Sequence, residues 1–494
     1  MGGEKVNGIR RSLCFIAIAS VLTISASAGT TPYYSYNDSE WSTELASPDT
    51  FVPDLVKTGE EIGVGHLKEP TDLCIDRLGQ VYVLDKTGGR VLVLDGELEL
   101  VTIIDRFTLD GAEYLLKEPE GLFVAQDGML YIADTGNGRA LRVTPEGEIT
   151  QTYEKPETEA YTADGFAPIK LAADGDGMVY IVGRSVYQGI MLYTPDGVFE
   201  SFYGSPPVQV TVKMLLDRLW KSILSEEIRS KMARYVPVEF SNLSIDDKGF
   251  IYTCTYYTNN TEEQLRKLNY LGDNVYPFTG NFGEAENGYG RTTTEYTNFV
   301  DVAIEDDCIL YGLDSTRGRV YGYNQEGDRL FSFGTRGDLQ GAFRRATAMA
   351  VHDGNVYVLD FDKGSITKFV PTAYGSLIKE AVRLHADGLY QEAMEPWEQV
   401  LEYNCNFEMA YVGMGDAMLK LGNYKEAVSY FRLGQDRERE SKAFYYYRSE
   451  LLRENIYLVI AVVLLLAVAL TALTSRKVIG KIRAGWRERG GKRK

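Results

Sequence analysis

The chain has 494 residues, 44% hydrophobic and 25% charged, with a formal charge of −18, a pI near 4.9, three histidines and five cysteines. That composition is globular and excludes wholesale disorder and fibrous repeats. The acidity argues against nucleic-acid recognition, which needs a basic face, and so few His and Cys exclude zinc fingers, His-rich metal sites and a disulfide-stapled miniprotein.

The N-terminus reads as an export signal. Lys5, Arg10 and Arg11 precede an apolar run from Leu13 to Ile24, followed by Ser25-Ala26-Ser27-Ala28-Gly29. A basic region, a short apolar core and a small-residue exit make a signal peptide over 1–28, cleaved near Ala28. Cys14 lies inside the apolar run with no lipobox before it, so a lipoprotein anchor is not expected. Residues 29–50 form a lead-in carrying Tyr33, Tyr34, Trp41 and Pro48.

Residues 51–374 repeat one unit. A lead phrase is followed by an apolar strand, an Asp-Gly-type turn, and a second strand ending in Asp: DLCIDRLGQVYVLD, GLFVAQDGMLYIAD and FVDVAIEDDCILYGLD are three examples. Alternating strands broken by such turns read as antiparallel hairpins. Asp85 to Asp134 and Asp134 to Gly183 are each 49 residues, and Asp314 to Asp360 is 46. The 131 residues from Gly183 to Asp314 hold two further units once a 29-residue insert, 208–236, is set aside. Six units of four short strands make a six-bladed β-propeller, mainly β in class. The ring needs a closing strand from one terminus. Thr50–Ile62 is the preferred donor and Ala373–Ile378 the alternative. The insert spaces Met214, Leu215, Leu219, Trp220, Ile223 and Leu224 like a helix face. It either shields the tunnel or offers a docking surface, with Trp220 as the candidate partner contact.

After Tyr374 the pattern becomes helical. Gly388, Tyr390, Ala393 and Trp397 recur 34 residues later as Gly422, Tyr424, Ala427 and Phe431. A 34-residue period with small residues at helix crossings predicts two helix-turn-helix repeats over 375–440, capped by a helix over 441–454. They serve either as a rigid stalk or as a peptide clamp, with Trp397 and Tyr424 as candidate partner-binding residues. Residues 455–474 carry no charge and suit a transmembrane helix. The tail, 475–494, holds nine basic residues against Glu488, which places it in the cytoplasm by the positive-inside rule. The body between signal and tail is strongly acidic and is expected outside, in a single-pass type I arrangement at the cell membrane.

YIADTGNGR, residues 131–139, resembles the NHL motif, and the chain is similar to NHL-repeat six-bladed propellers over about 320 of its 494 residues. LKLGNYKEAVSYF, residues 419–431, resembles the tetratricopeptide phrase. The whole arrangement resembles bacterial single-pass membrane NHL proteins encoded near sugar-type ABC transporter components. The resemblance implies a protein partner at the cell surface, with transporter components as candidates. Asp85, Arg90, Asp134, Asn137, Arg139, Asp314, Arg319 and Asp360 are expected to brace the repeats, Asp134 by accepting from turn amides and facing Arg139.

The leading expectation is a non-enzymatic interaction scaffold or sensor, with no catalytic, cofactor or metal residues assigned. Related propellers include metal-dependent gluconolactonase-like and lyase-like enzymes, so such an enzyme is one alternative and a surface carbohydrate-binding module another. Glu120, Asp301 and Asp72, near inner-strand starts, are the candidate oxygen ligands for that alternative, without diagnostic spacing. Cys74, Cys254, Cys308 and Cys405 are expected as thiols rather than bridges, although Cys254 and Cys308 fall in adjacent units.

Overall fold

A computed structural model describes residues 31–38, 44–204, 239–255, 264–277, 282–283 and 297–490. The signal segment 1–28 and the insert 208–236, with Trp220, lie outside the described residues. The chain divides into two compact units, Met1–Ala386 and Asp387–Lys494.

The first unit is a six-bladed β-propeller. Blade 1 comprises Pro70–Ile75, Val81–Asp85, Arg90–Leu94 and Leu100–Ile104, and blade 2 Gly121–Val124, Leu130–Asp134, Arg139–Val143 and Ile149–Tyr153. Blade 3 comprises Pro168–Ala173, Val179–Gly183, Ile190–Tyr193 and Phe199–Tyr203. Blade 4 shows Phe240–Ile245, Ile251–Thr255 and Leu265–Leu268 among the described residues. Blade 5 comprises Phe299–Glu305, Ile309–Asp314, Arg319–Tyr323 and Arg329–Phe333. Blade 6 takes Ala346–His352, Asn355–Asp360 and Ser365–Pro371 from the end of the repeat and borrows Phe51–Thr58 from its beginning. That borrowed strand runs antiparallel to Ser365–Pro371 and closes the ring by completing the four-stranded sheet of blade 6.

In six of the hairpins a single side chain pins the turn. Asp76, Asp95, Asp174, Asp246, Asn269 and Asn324 each accept, through one oxygen, the backbone N–H groups two and four residues on, at 2.8–3.1 Å. A short Asx oxygen thereby mimics the backbone and fixes the reversal. Glycine at the fourth turn position takes the left-handed conformation, as at Gly177 (φ +81°) and Gly327 (φ +87°).

The core is distributed between blades rather than gathered in one place. Leu73, Val83 and Leu92 of blade 1 meet Ala348, Leu359 and Ile366 of blade 6, and Leu84 and Val93 meet Leu122, Ile132 and Leu141 of blade 2. The second strand of a blade is thus buried on both faces, which explains near-continuous apolar runs such as VYVLD and LYIAD, all of whose residues are buried. Helix α1 (Gly59–Ile62) follows the closing strand and is capped by the Thr58 hydroxyl and the Glu61 carboxylate in reciprocal hydrogen bonds. Helix α2 (Ala373–Ala386) also belongs to this unit. It buries Ile378 and Ala381, and its Lys379 ammonium pairs with Glu305 at 2.8 Å.

The second unit is helical: α3 (Met394–Tyr403), α4 (Glu408–Lys420), α5 (Tyr424–Leu433), α6 (Arg437–Glu454) and α7 (Ile456–Gly490). Glycines let its helices approach closely. A Cβ on Gly413 would meet the Trp397 indole at 2.6 Å, and one on Gly415 would meet the Phe431 ring at 2.7 Å. Within α7, Ile456–Lys477 is long and apolar enough to cross a membrane, with none of it buried in the protein.

Candidate functional site

The inner strand of each blade runs along the propeller axis. In five of the six the register slips by one residue just after the strand begins: at Thr71, Ile169, Ser241, Val300 and Thr347. The bulge re-aims the next side chain. The residues so placed are Asp72, Lys170, Asn242, Asp301 and Ala348, and Gly121 holds the equivalent place in blade 2. Lys170 of blade 3 reaches past blade 2 to pair with the Asp72 carboxylate of blade 1. Gly121 makes this approach feasible: a Cβ there would stand 2.6 Å from the Ile169 carbonyl oxygen and 2.9 Å from the Lys170 Cα.

The polar groups of this axial belt are bound to one another and to the backbone. Asp72 accepts from its neighbour Leu73 N–H at 2.9 Å and from Leu122 N–H of blade 2 at 2.6 Å. Asp301 accepts from Val302 N–H at 2.8 Å and from Met349 N–H of blade 6 at 2.6 Å, and takes a further hydrogen bond from the Asn242 amide. Asn242 accepts from Leu243 N–H at 2.7 Å and donates to the Val300 carbonyl of blade 5 at 3.1 Å. The bulged hydroxyls add stitches of the same kind: Thr71 to the Pro119 carbonyl and Ser241 to that of Phe299, at 3.3 and 3.1 Å.

Burial dominates the electrostatics here. Asp72, Asn242 and Asp301 are 0%, 1% and 3% exposed. Desolvation raises the Asp72 carboxyl above the ordinary range against the pull of Lys170 and the two amides. Asp301, also desolvated, with Lys170 pulling it down and the charge of Asp72 adding to the rise, is pushed up to about 7. Burial alone would lower Lys170, but the carboxylates of Asp72 and Asp301 override it and bring the ammonium up to about 12.

The two mouths of the tunnel differ. On the face where the inner strands begin, Glu120 accepts from Lys86 of blade 1 at 2.8 Å and from Arg184 of blade 3 at 2.5 Å. Glu239 accepts from the Ser185 N–H, Thr87 donates to Glu69 at 3.0 Å, and Arg345 pairs with Asp362 at 2.6 Å while stacking on Phe361. A cleft of about 690 Å³ opens between blades 1 and 2, lined by Glu69, Lys86, Tyr114, Lys117 and Glu118. At the opposite mouth the turns meet across the axis. Asp247 of blade 4 accepts from Arg77 of blade 1 at 3.2 Å and Gln126 of blade 2 at 3.0 Å.

Of the oxygen donors singled out in the sequence, Asp72 and Asp301 stand in the axial belt and Glu120 stands on the rim. Lys170 and Asn242 were not singled out. Their signal was the shared offset two residues past the strand start in Pro70-Thr71-Asp72, Pro168-Ile169-Lys170, Phe240-Ser241-Asn242 and Phe299-Val300-Asp301. Among the described residues no three His, Cys, Asp or Glu side chains gather as a metal-holding group. Cys74, Cys254, Cys308 and Cys405 are free thiols, with Cys254 and Cys308 buried.

The aspartates that recur at the ends of the second strands hold the loops beside them. Asp85 accepts from Gly88 N–H and from Arg90 Nε at 3.1 and 3.0 Å, and Arg90 also reaches the Val64 carbonyl. Asp134 accepts from Lys117 N–H, the Asn137 amide and the Tyr114 hydroxyl at 2.7, 2.8 and 2.5 Å. Arg139 is opposite Asp134 in register, yet its guanidinium lies over the Tyr114 ring, 5.3 Å from the centroid. Asp314 accepts from Asn298 and Thr316 N–H at 2.9 Å each, and Arg319 lies over Tyr36 and donates to the Tyr34 carbonyl in the lead-in. Asp360 accepts from four backbone N–H groups, those of Arg344, Arg345, Asp362 and Lys363.

Two candidate partner contacts fall in the helical unit. Trp397 is 2% exposed and packed against Gly413 and Phe407, so it is a core side chain rather than one presented to a partner. Tyr424 is half-buried, its ring stacked on Tyr446 at 5.5 Å.

No protein-family model matches the chain, and no curated protein matches it. Among solved structures it is similar to virginiamycin B lyase from Staphylococcus aureus, at 12% identity over 64% of this chain and 99% of that one, with a TM-score of 0.38. It is also similar to a protein of unknown function from Bacteroides caccae, at 9% identity over 62% of this chain and 91% of that one, with a TM-score of 0.33. A third likeness is to the extracellular domain of a putative one-component system from B. thetaiotaomicron, at 11% identity over 70% of this chain and 40% of that one, with a TM-score of 0.33.

Proposed function

We propose that this protein is a membrane-anchored, extracytoplasmic, non-enzymatic interaction scaffold or sensor. In this reading the propeller is of NHL type, the helical unit is tetratricopeptide-like, and the basic tail is cytoplasmic. The partner is a protein at the cell surface, with components of a sugar-type transporter as the class the family resemblance implies. The observation that carries the reading is the bonding of Asp72 and Asp301. Each carboxylate accepts from two backbone N–H groups and one side-chain donor, one of the backbone groups belonging to the next blade, so both are engaged in holding the blades together. Recognition then belongs to the rim around Glu120.

Crosslinking of the full-length protein in its native membrane, compared with Glu120→Lys and Arg184→Glu variants, tests this. Loss of a specific crosslinked partner in variants that remain folded, beyond what their fall in melting temperature accounts for, is the expected outcome. Turnover of a lactone or a lyase substrate by the wild type would overturn it.

A further inference from the structure

Blade 4 carries a lysine that the propeller's own ion pairs do not use. Lys267 lies on the strand Leu265–Leu268, opposite Tyr252 in register. Its ammonium stands over two aromatic rings, 4.4 Å from the Phe250 centroid and 5.3 Å from that of Tyr252, and makes no hydrogen bond or ion pair with any described residue. It borders a cavity of about 210 Å³ between blades 4 and 5, walled by Tyr276, Val275, Ile304 and Leu310.

The other polar groups beside the cavity have partners. The Tyr276 hydroxyl donates to the Asn324 carbonyl at 2.6 Å, the Tyr252 hydroxyl to Asp246 at 3.1 Å, and the Gln325 amide to the Asp307 carbonyl at 2.9 Å. The Asp307 carboxylate pairs with Lys248 at 3.0 Å. The Lys267 ammonium is thus the donor at the cavity wall that the propeller's own bonds leave available to a ligand. Burial accordingly lowers its pKa, against the pull of Asp246 and Asp307.

Charge and size define what could occupy the cavity and use that donor. Lys248 and Lys267 are balanced by Asp246 and Asp307, so an added anion would bring uncompensated charge beside two carboxylates, and an added cation would face Lys267. A dry cavity of about 150 Å³ holds a benzene ring, so this one has room for a ring and one small polar substituent. We propose that the cavity between blades 4 and 5 is a binding site for a small, uncharged, largely apolar molecule carrying one carbonyl oxygen, which accepts from Lys267 Nζ. The site is separate from the rim around Glu120, and its success or failure does not depend on a partner docking there.

The test uses full-length protein in detergent, with benzamide, benzoate and benzylamine as probes read by saturation-transfer NMR. Benzamide is expected to bind ahead of both charged probes. Lys267→Met, of similar shape but without a donor, is expected to weaken it about tenfold or more, and Lys267→Gln, which keeps a donor, to recover part of the loss. Melting temperatures confirm that both variants fold. Absence of benzamide binding at millimolar concentration, equal binding by Lys267→Met, or preference for benzoate or benzylamine would overturn the proposal.

Discussion

Asp72 and Asp301 stand on blades 1 and 5 and make the same two backbone contacts: each accepts the N–H of the residue that follows it and an N–H from the inner strand of the next blade. One carboxylate thereby joins two blades at the axis, where the strands are closest. The two sites differ in the third partner. Asp72 has the Lys170 ammonium, and Asp301 has the neutral amide of Asn242.

That difference makes Lys170 the more costly residue to lose. Lys170→Met leaves the Asp72 carboxylate buried beside two amides with no counter-charge. Removing one partner of a buried pair costs about 3–5 kcal/mol, and a large drop in the melting temperature of the full-length protein is expected. Adding Asp72→Asn to Lys170→Met removes the uncompensated charge and is expected to restore part of the loss. A double variant no more stable than the single one would show that the pair's charge is not what matters.

Gly121 supports the same pair by having no side chain. Gly121→Ala puts a methyl 2.6 Å from the Ile169 carbonyl oxygen and 2.9 Å from the Lys170 Cα, both backbone atoms that move only with blade 3. Overpacking of this kind costs about 1–3 kcal/mol. Gly165→Ala is the control, since nothing lies within 4 Å of its Cβ position and its backbone is not left-handed. Denaturant titration of the two variants should separate them clearly.

The blade count, the turns and the closing strand are legible because they are local: six of the hairpins are pinned by an Asx oxygen within four residues, and the strands alternate or run apolar. The axial belt is not local. Lys170 lies 98 residues from Asp72, and in PIKLAA it reads as an ordinary strand lysine. Its meaning needs the ring closed and the bulge in place. Glu120, by contrast, looked like Asp72 in sequence because both follow a proline closely, yet one residue of offset puts it on the rim. Arg139 shows a similar limit, for register set it opposite Asp134 while Tyr114, from a separate short hairpin, intercepted it.

Trp397 offers a direct check on a partner-binding role against a packing role. It fills the space left by Gly413 between α3 and α4, and its indole would collide with any Cβ there. Trp397→Ala is expected to cost about 3–5 kcal/mol, and Gly413→Ala to disturb the same contact from the other side. Circular dichroism of the full-length variants should show earlier loss of helical signal, with the β signal retained to higher temperature. A Trp397→Ala protein with unchanged melting and a lost partner would restore the residue to a binding role.

The acid–base behaviour of Asp301 gives a stability change with a definite sign. Its folded-state pKa is pushed up to about 7 by burial, whereas an unfolded aspartate titrates near about 3.9. Between those values the folded state binds the proton that the unfolded state has released. Stability therefore falls as pH rises from about 4 towards 7, and the cost is complete above the folded pKa. The groups facing Asp301 are the Asn242 amide, the Val302 and Met349 N–H groups and, through the belt, Lys170 and Asp72; of the charged ones, Lys170 keeps its charge throughout this window. Asp301→Asn cannot titrate and should flatten the decline, although its amide now meets the Met349 N–H as donor to donor and lowers stability at every pH. Asp72 and Asp246, also raised by burial, leave a residual slope of the same sign. Melting temperatures of wild type and variant at intervals from pH 4 to 8 test this, and parallel curves would remove Asp301 as the source.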